Sequence, residues 1–468
     1  MNYFLLTLTL LGLIVSCVTS AEPHYTLVPA GADPYRASVS PDRIVLIPTT
    51  TPASSQSIHW RTHADVGVAK AQLARAIDGP GMHRAMKTEL SQVTAVYSDN
   101  GKAHQHKVTF DQLEPDTLYA YRVQGLGTWS EWFQFKTATA EFSPFSFIYF
   151  GDAQNQMKAH VSRVFREALL QRPRASVMVH AGDLVNSRAG NHDNEWGEWF
   201  HALGWQGSMV NQIVTPGNHE YIEHGTGPRT LVPQFSAQFS SIRNGPEPLQ
   251  DTVFYTDYQG VRFISLNSME ALQNEELAKL QAVWLEQVLS TNSGHWTVVT
   301  YHHPMFSVST GRDNPILRQY WLPLFEKHNV DLVLQGHDHV YGRSQNLATG
   351  LSGQPQQGGP VYVVSVAGPK MYLNSEQATK KMQRVGEDTQ LFQLIDVQSN
   401  RLVYQAFTPA GTLYDAFELH KDAQGNKYIQ SSQVLPEVRV CSVLLAERVR
   451  ANRCWNGTEF GLDQEIQQ

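Results

Sequence analysis

Residues 334–343 read LQGHDHVYGR and place His337 and His339 on either side of Asp338, directly after the apolar run VDLVLQ. A histidine is costly to bury without a polar partner. A histidine pair at the end of a buried strand therefore indicates metal binding if ligand-type side chains also follow other buried strands. Four further apolar runs meet this condition, and they are followed by GDAQ (151–154), GDLVN (182–186), GNHE (217–220) and HHP (302–304).

These runs belong to a region in which strand and helix patterns alternate from Phe145 onwards. The segment AHVSRVFREALLQR (159–172), for example, places its apolar residues on one helical face. Such alternation indicates an α/β domain, predicted over residues 143–421. In open α/β sheets ligands gather beyond the carboxyl ends of the strands, so the five motifs are expected to converge there.

Residues 22–138 have a different pattern, with short alternating runs such as DRIVLIP (42–48) and LYAYRVQG (118–125) separated by turn residues. This pattern predicts an all-β sandwich. The stretch LEPDTLYAYRV, followed by WSEWFQFKT, resembles a fibronectin type III module, in which a Tyr after the Leu-Pro turn packs at a corner. The chain is therefore expected to carry an all-β domain before the α/β domain.

The chain as a whole is that of a folded protein, with 468 residues, 41% of them hydrophobic and 17% charged. A length of this order exceeds one hydrophobic core. The formal net charge of −7 argues against a nonspecific nucleic-acid binder, so no nucleic-acid partner is expected.

The ends of the chain predict export. Residues 1–21 are predicted to be a secretory signal peptide, which makes the protein periplasmic or secreted. The alternative is a lipoprotein, in which IVSC acts as a lipobox and a lipid on Cys17 provides the only membrane attachment. Residues 422–468 are predicted to form a tail with a Cys441–Cys454 disulfide, since exported proteins meet oxidising conditions; two unpaired thiols are the alternative.

The ligand types at the five strand ends suit two metal ions. No Cys lies near them, so the ligands are nitrogen and oxygen, which favour Zn, Mn, Fe or Mg over Cu. Asp183 can bridge two ions, and Asn218 adds a neutral oxygen. Two divalent ions would carry a charge of +4, and the carboxylates of Asp152 and Asp183 would carry −2. The remaining positive charge suits an anionic phosphate.

The ordered motifs GDAQ, GDLVN, GNHE, HHP and GHDH resemble the calcineurin-like metallophosphoesterase superfamily. Together with the fibronectin-like domain they resemble the purple acid phosphatases, over about residues 25–420. The resemblance implies a metallophosphoesterase-type β-sheet sandwich flanked by helices. It also implies that Asp152 and His339 hold one metal and that Asp183 bridges. The second metal would be held by Asn218, His302 and His337.

The resemblance further implies an exported phosphatase that hydrolyses small phosphate monoesters by attack of a metal-bridging hydroxide. His219 would protonate the leaving alcohol, and Glu220 would orient His219 or a metal ligand. His219 and His303 are candidate substrate contacts, a solvated histidine being the alternative for His303. A phosphodiesterase using the same site is the alternative function. A non-catalytic binding protein would predict damaged motifs, and here the six ligand positions are intact.

The sequence departs from the family pattern at two positions. Asn186 stands where the purple enzymes carry Tyr, three residues after the bridging Asp, and it becomes a candidate substrate contact. Gln154 stands where many metallophosphoesterases carry a metal-binding His, so it either ligates through its amide oxygen or only hydrogen-bonds within its loop. Because the first site loses an anionic ligand, divalent Zn, Mn or Fe is predicted, with an Fe/Zn pair as the alternative.

Overall fold

The computed structural model describes residues 26–455, except residues 30, 189–191, 346, 349–355, 432 and 449. The predicted signal peptide and Cys17 lie outside the described residues. Among the helices described, none is both long and apolar enough to cross a bilayer.

The N-terminal part is built from two facing β-sheets. Its strands are β1 (Asp42–Ile47), β2 (Gln56–His63), β3 (Lys70–Arg75), β4 (Met86–Leu90), β5 (Gln92–Ser98), β6 (Gly101–Phe110), β7 (Leu118–Val123) and β8 (Phe133–Lys136). One sheet has the order β1-β2-β6-β5 and the other β4-β3-β7-β8. Their inward residues, Trp60 and Tyr121 among them, form a common core. The hydroxyl of Tyr119 accepts the N–H of Glu114 at 2.9 Å and ties the turn before β7 to the strand.

The following part carries the remaining strands. They are β9 (Phe145–Phe150), β10 (Val177–His180), β11 (Asn211–Val214), β12 (Tyr221–Ile222), β13 (Thr230–Leu231), β14 (Phe254–Tyr258), β15 (Val261–Ser265), β16 (Trp296–Thr300), β17 (Leu332–Gln335), β18 (Tyr341–Arg343), β19 (Leu347–Ala348), β20 (Gln356–Gln357), β21 (Val361–Val364), β22 (Arg384–Gly386), β23 (Phe392–Val397), β24 (Arg401–Phe407), β25 (Leu413–Lys421) and β26 (Lys427–Gln430). Within the described residues they form two large sheets and two short β-ribbons.

The helices pack on the outer faces of these two sheets. They are α1 (Ser162–Gln171), α2 (Asp193–Leu203), α3 (Pro233–Phe239), α4 (Ser268–Gln273), α5 (Glu275–Ser290), α6 (Pro315–Tyr320), α7 (Leu322–Lys327) and α8 (Glu376–Lys381). Single turns of 3₁₀ or π helix lie at Met157–Val161, Gly204–Ser208, Asn218–Glu220 and Leu445–Glu447, and a further one, Gly81–Ala85, lies in the N-terminal part.

The two sheets face each other across a large apolar core. The first has the order β26-β25-β24-β23-β9-β10-β11-β1-β2-β6-β5, and the second has the order β14-β15-β16-β17-β21-β18-β22. Phe147 of β9 packs edge-on against Phe263 of β15 between them. Helices α1 to α3 cover the outside of the first sheet, and α5 to α7 that of the second. The predicted α/β architecture of sheets flanked by helices is thus confirmed.

The first sheet continues across the boundary between the two parts, because β1 pairs in parallel with β11 through Leu46 and Asn211. It also runs past the predicted end of the α/β domain at residue 421, since β26 pairs with β25. Beyond it the chain returns to the body of the protein, where Cys441 and Cys454 are joined by a disulfide. Trp455 is buried there against Tyr372.

Candidate metal centre

The candidate ligands follow neighbouring parallel strands at the same edge of the two sheets. β9, β10 and β11 lie side by side and are followed by Asp152, Asp183 and Asn218. In the second sheet β16 and β17 are neighbours, and they are followed by His302 and by the 337–339 motif. Because both faces of these strands are covered, their sequences are continuously apolar up to the point where the polar residues begin.

Three of the candidate ligand atoms converge around Nε2 of His302. It lies 3.1 Å from Oδ2 of Asp183, 3.2 Å from Oδ1 of Asn218 and 3.1 Å from Nδ1 of His337. Nδ1 of His302 donates its hydrogen to the carbonyl of Ala181 at 2.8 Å, which leaves Nε2 available for a metal. The three residues assigned to the second metal are therefore brought together with the predicted bridging carboxylate.

A second group of ligand atoms surrounds Nε2 of His339. It lies 3.1 Å from Oδ2 of Asp152 and 2.8 Å from the amide of Gln154. Nδ1 of His339 donates to the carbonyl of Lys370 at 3.0 Å, so here too Nε2 is the free ring nitrogen. The same Gln154 amide is 3.2 Å from Oδ2 of Asp183. Gln154 therefore lies among the ligands of the first site, and its oxygen and nitrogen exchange places by a half-turn of the amide.

The charges and unpaired atoms of this cluster fit bound cations. Oδ2 of Asp152 is buried and has no hydrogen-bond partner within the described part of the chain. Burial raises the pKa of Asp152 to about 7, with the charge of Asp183 adding to the effect. Although burial lowers the pKa of His302, the carboxylates of Asp183 and Asp152 raise it to about 9. Positive charge at this position would therefore be stabilised, and the donor set suits a metal pair.

The glycines of the motifs allow the loops to approach one another closely. A Cβ on Gly217 would lie 2.1 Å from Oδ1 of Asp183, and one on Gly336 would lie 2.1 Å from Oδ1 of Asp152. The loops also place three candidate ligands at positive φ, namely Asp183 at 52°, His337 at 72° and His339 at 51°. Such conformations cost free energy and persist where the surrounding structure enforces them.

Glu220 fixes two of these loops through its buried carboxylate. Its Oε2 accepts the N–H groups of Asp183 at 2.9 Å and Gly217 at 2.7 Å, and its Oε1 accepts those of Leu184 at 2.7 Å and Val185 at 3.3 Å. Burial and the charge of Asp183 raise the pKa of Glu220 to about 8, while the N–H of Gly217 lowers it. Of the two roles predicted for Glu220, the contacts favour orientation of a metal ligand over orientation of His219.

His219 and Asn186 are in direct contact. Nδ1 of His219 donates to the main-chain carbonyl of Asn186, and the His219 N–H donates to Oδ1 of Asp183 at 2.8 Å. Nε2 of His219 is then the accepting atom, and it lies 3.1 Å from Nη2 of Arg188. Asn186 contributes its backbone, and its buried side-chain oxygen has no hydrogen-bond partner among the described residues. Asn186 is thus placed behind His219.

His303 lies beside the group of ligand atoms around His302. Its ring centroid is 4.3 Å from that of His337, and its Nδ1 is 3.0 Å from the hydroxyl of Ser268. His302, His303 and His337 can offer nitrogen atoms within 4.8 Å of one another. Burial lowers the pKa of His303 well below its usual value, with the charge of His302 adding to the effect. The solvated alternative does not fit, because the residue is only 6% exposed.

Three arginines near the centre were not singled out from the sequence. Arg188, Arg229 and Arg312 lie in loops whose sequences carry no periodic pattern. Arg312 donates to the carbonyl of His337 and to Oδ1 of Asp338 at 3.2 Å. Its guanidinium carbon lies 4.9 Å from the ring centroid of Tyr372, which stacks on His339 at 4.7 Å. The only sequence signal for these residues is a basic side chain in a loop after a motif.

Family models match both parts of the chain. The model described as the purple acid phosphatase N-terminal domain matches residues 41–137, and the calcineurin-like phosphoesterase model matches residues 145–341. The fold and the strand-end ligands define the same class, and residues 145–341 form a calcineurin-like phosphoesterase domain. Within that class, the N-terminal domain places the chain with the proteins that resemble purple acid phosphatases.

Individual relatives are distant. An uncharacterized protein of Mycobacterium tuberculosis is 26% identical over 325 residues, which cover 63% of this chain and 60% of that protein. The Fe(3+)-Zn(2+) purple acid phosphatase 12 of Arabidopsis thaliana is 25% identical over 284 residues, 55% of this chain and 58% of that protein. The chain thus spans about 60% of the length of these curated relatives.

A solved structure shares the fold over most of the chain. The purple acid phosphatase PPD1 from yellow lupin (Lupinus luteus) seeds superposes with a TM-score of 0.68 at 18% identity. The match covers 82% of this chain and 75% of the lupin protein. It supports the architecture described above, and the family implies a dinuclear metal centre.

Proposed function

We propose that the protein is a metal-dependent phosphoric ester hydrolase that acts on small phosphate monoesters. The observation that carries this proposal is the position of Asp183 between two groups of ligands. Its Oδ2 lies 3.1 Å from Nε2 of His302 in one group and 3.2 Å from the amide of Gln154 in the other. One carboxylate shared by two metal sites is the arrangement that two-metal phosphoryl chemistry needs.

The residues present would hold two ions in distinct environments. Asp152, His339 and the amide of Gln154 would hold one, while Asn218, His302 and His337 would hold the other. Bound ions would supply Lewis-acid stabilisation of the phosphoryl oxygens and activate water for in-line attack. Zn, Mn or Fe in the divalent state fits this nitrogen and oxygen set, with an Fe/Zn pair as the alternative.

The surrounding residues would position the substrate and the leaving group. Nε2 of His219 points away from Asn186 and would meet the leaving oxygen once the contact with Arg188 is given up. His303, beside His337, would contact a phosphate oxygen or serve as a further ligand. Asn186 would act indirectly, through the carbonyl that fixes the ring of His219.

The same centre also suits a phosphodiesterase, which is the alternative. The deciding experiment is metal analysis of the purified protein combined with hydrolysis of the monoester phenyl phosphate and the diester diphenyl phosphate. We expect about two metal ions per chain and a higher kcat/KM for the monoester. A higher kcat/KM for the diester would favour the alternative, and bound metal without hydrolysis of either would favour a non-catalytic binding protein.

Export is part of the proposal. The disulfide between Cys441 and Cys454 supports an oxidising compartment, because cytosolic thiols are kept reduced. Fractionation of expressing cells tests this point. Protein found only in the cytosol with free thiols would contradict it.

A further inference from the structure

Residues 370–374, between β21 and α8, pack against the candidate metal ligand His339. The carbonyl of Lys370 accepts the hydrogen on Nδ1 of His339 at 3.0 Å, and the carbonyl of His339 accepts the N–H of Tyr372 at 3.1 Å. The ring of Tyr372 stacks on the imidazole, with 4.7 Å between the ring centroids and 29° between the planes. Three contacts from this one segment therefore fix the direction in which Nε2 of His339 points.

The C-terminal tail binds the same segment. We call residues 441–455, all of which are described except 449, the disulfide loop. The N–H of Cys454 donates to the carbonyl of Met371 at 3.0 Å, and Arg453 forms an antiparallel β-bridge with Tyr372. The guanidinium carbon of Arg453 lies 3.5 Å from the ring centroid of Tyr372. Because an imidazole and a guanidinium at these distances cannot share one face of a ring, Tyr372 lies between His339 and Arg453.

A second attachment holds the other end of the disulfide loop. Oε2 of Glu387 accepts the N–H of Cys441 at 2.8 Å, and its Oε1 accepts the N–H of Asn374 at 2.7 Å. The disulfide joins Cys441 to Cys454 and so fixes the distance between the two attachments. Both ends of the disulfide loop are therefore bound to residues 370–374, one end directly and the other through Glu387.

We propose that Tyr372 and Arg453 are positioning residues for His339, and that through them the disulfide loop completes the first metal site. The disulfide holds Arg453, Arg453 holds the ring of Tyr372, and that ring holds the imidazole. This inference rests on the proposed function, because it takes His339 as a ligand of the first metal. His302 of the second site is held instead by the carbonyl of Ala181, so the second site should depend less on the disulfide loop.

Metal binding and the disulfide are then mutually dependent. If the closed disulfide loop strengthens metal binding at the first site, bound metal stabilises the disulfide by the same factor, because coupling between two equilibria is reciprocal. The disulfide should therefore be harder to reduce in the metal-loaded protein than in the metal-free protein.

The first measurement is titration of the metal-free, full-length protein with Mn²⁺, in which His339→Ala identifies the first site. We expect Tyr372→Leu to weaken that site by about tenfold, as loss of a partner behind a metal ligand does. Tyr372→Phe retains the ring and should bind as the wild type does. Arg453→Ala should weaken the first site by roughly threefold. A general loss of stability would weaken both sites, so a loss confined to the first site separates positioning from a structural role.

Arg384→Gln is the matched control. The guanidinium carbon of Arg384 lies 4.5 Å from the ring centroid of Tyr414, and its Nη2 donates to the carbonyl of Pro436 at 2.8 Å. The substitution therefore removes a similar arginine–tyrosine stack beside the tail, at a place where neither residue contacts a candidate ligand among the described residues. It should leave both Mn²⁺ sites unchanged.

The second measurement is the equilibrium between disulfide and dithiol in a buffer of reduced and oxidised dithiothreitol. Dithiothreitol gives up two electrons and two hydrogens and becomes a cyclic disulfide, while Cys441 and Cys454 become thiols. We expect saturating Mn²⁺ to lower the equilibrium constant for reduction by about tenfold. Mn²⁺ is the suitable probe because it prefers oxygen and nitrogen ligands to the thiolates that reduction creates.

The outcomes separate this inference from the proposed function. Unchanged Mn²⁺ affinity at the first site in a folded Tyr372→Leu would overturn the inference, while two bound ions and hydrolysis of phenyl phosphate upheld the proposed function. If Tyr372→Leu does not fold, an equal redox equilibrium with and without Mn²⁺ would overturn it. A wild-type protein that binds no metal would instead contradict the proposed function.

Discussion

Replacement of Glu220 by Gln tests whether the loops of the metal centre are fixed by one buried carboxylate. Glu220 accepts four backbone N–H groups, two on each oxygen, from Asp183, Leu184, Val185 and Gly217. In Glu220→Gln one oxygen becomes an NH₂ group that faces two donors, so two bonds are lost. Hydrogen bonds to charged groups contribute about 1.5–3 kcal/mol each, so above the Glu220 pKa of about 8, where the carboxylate is ionised, the loss of two is about 3–6 kcal/mol.

The expected results are a lower Tm of the metal-free protein and weaker metal binding, because the loop that carries Asp183 loses its anchor. Differential scanning calorimetry and metal titration measure the two effects. The control is Glu276→Gln, whose side chain is 77% exposed and pairs only with a surface lysine in the described structure, and it should change neither. If Glu220→Gln matched this control in Tm and metal affinity, the anchoring role would be refuted.

Four further predictions concern the same site and the tail. Asp183→Asn should abolish activity and lower bound metal at both sites, and normal turnover with two metals bound would contradict its bridging role. His219→Ala should retain metal but lose roughly 10²–10⁴-fold in turnover, with a smaller loss for substrates that have good leaving groups; an equal loss for all substrates would indicate a binding role. Cys454→Ser should lower the free energy of unfolding by about 3 kcal/mol, because the disulfide closes a loop of 13 residues, and equal Tm values would contradict this. Iron-loaded, oxidised protein should lack an intense visible band, because Asn186 stands at the position of the family's Tyr, whereas a band that disappears with one Tyr→Phe change would identify another tyrosinate.

The candidate ligands could be found in the sequence because each follows a strand directly. A buried strand is a continuous apolar run, and the residues after it lie at a sheet edge whose position is common to all parallel neighbours. It was therefore possible to identify Asp152, Asp183 and His302 from the sequence without knowing how side chains pack. The structure brings them together with Asn218 and His337, and their roles as ligands stay predictions until metal is measured.

The groups that surround the ligands could not be found in this way. Arg188 and Arg229 are 41 residues apart and, in the described part of the chain, meet through Glu223. Neither loop has a hydrophobic period, so nothing in the local sequence indicates that they converge. Glu220 stands within the GNHE motif, yet three of its four backbone partners follow β10, more than thirty residues away. The role of Glu220 depends on the distance in space between the loops that follow β10 and β11, and this distance cannot be predicted from the sequence.

The N-terminal domain shows why an alternating strand pattern can mislead about exposure. In β2, Arg61 lies on the face opposite to the core residue Trp60, yet Arg61 is buried because the α/β domain covers that face. Its Nη1 binds both carboxylate oxygens of Asp193, at 3.1 and 2.9 Å, and Arg43 binds the same carboxylate at 2.7 Å. Asp193 is the first residue of α2, a helix of the α/β domain. The two domains are therefore joined by buried charges as well as by a shared sheet.

The contact between the two domains is linked to the candidate site through α2. Glu195, two residues after Asp193, accepts the N–H groups of Asn186 and Ser187 with its buried carboxylate. The carbonyl of Asn186 in turn fixes the ring of His219. A break in the contacts between Arg61 and Asp193 would take one buried partner from each charge, which is costly, while Asp42 would still bind Arg61 and Arg43 would still hold Asp193 at the start of α2. Although the N-terminal domain contributes none of the candidate ligands, it therefore holds the helix that positions the loop behind His219.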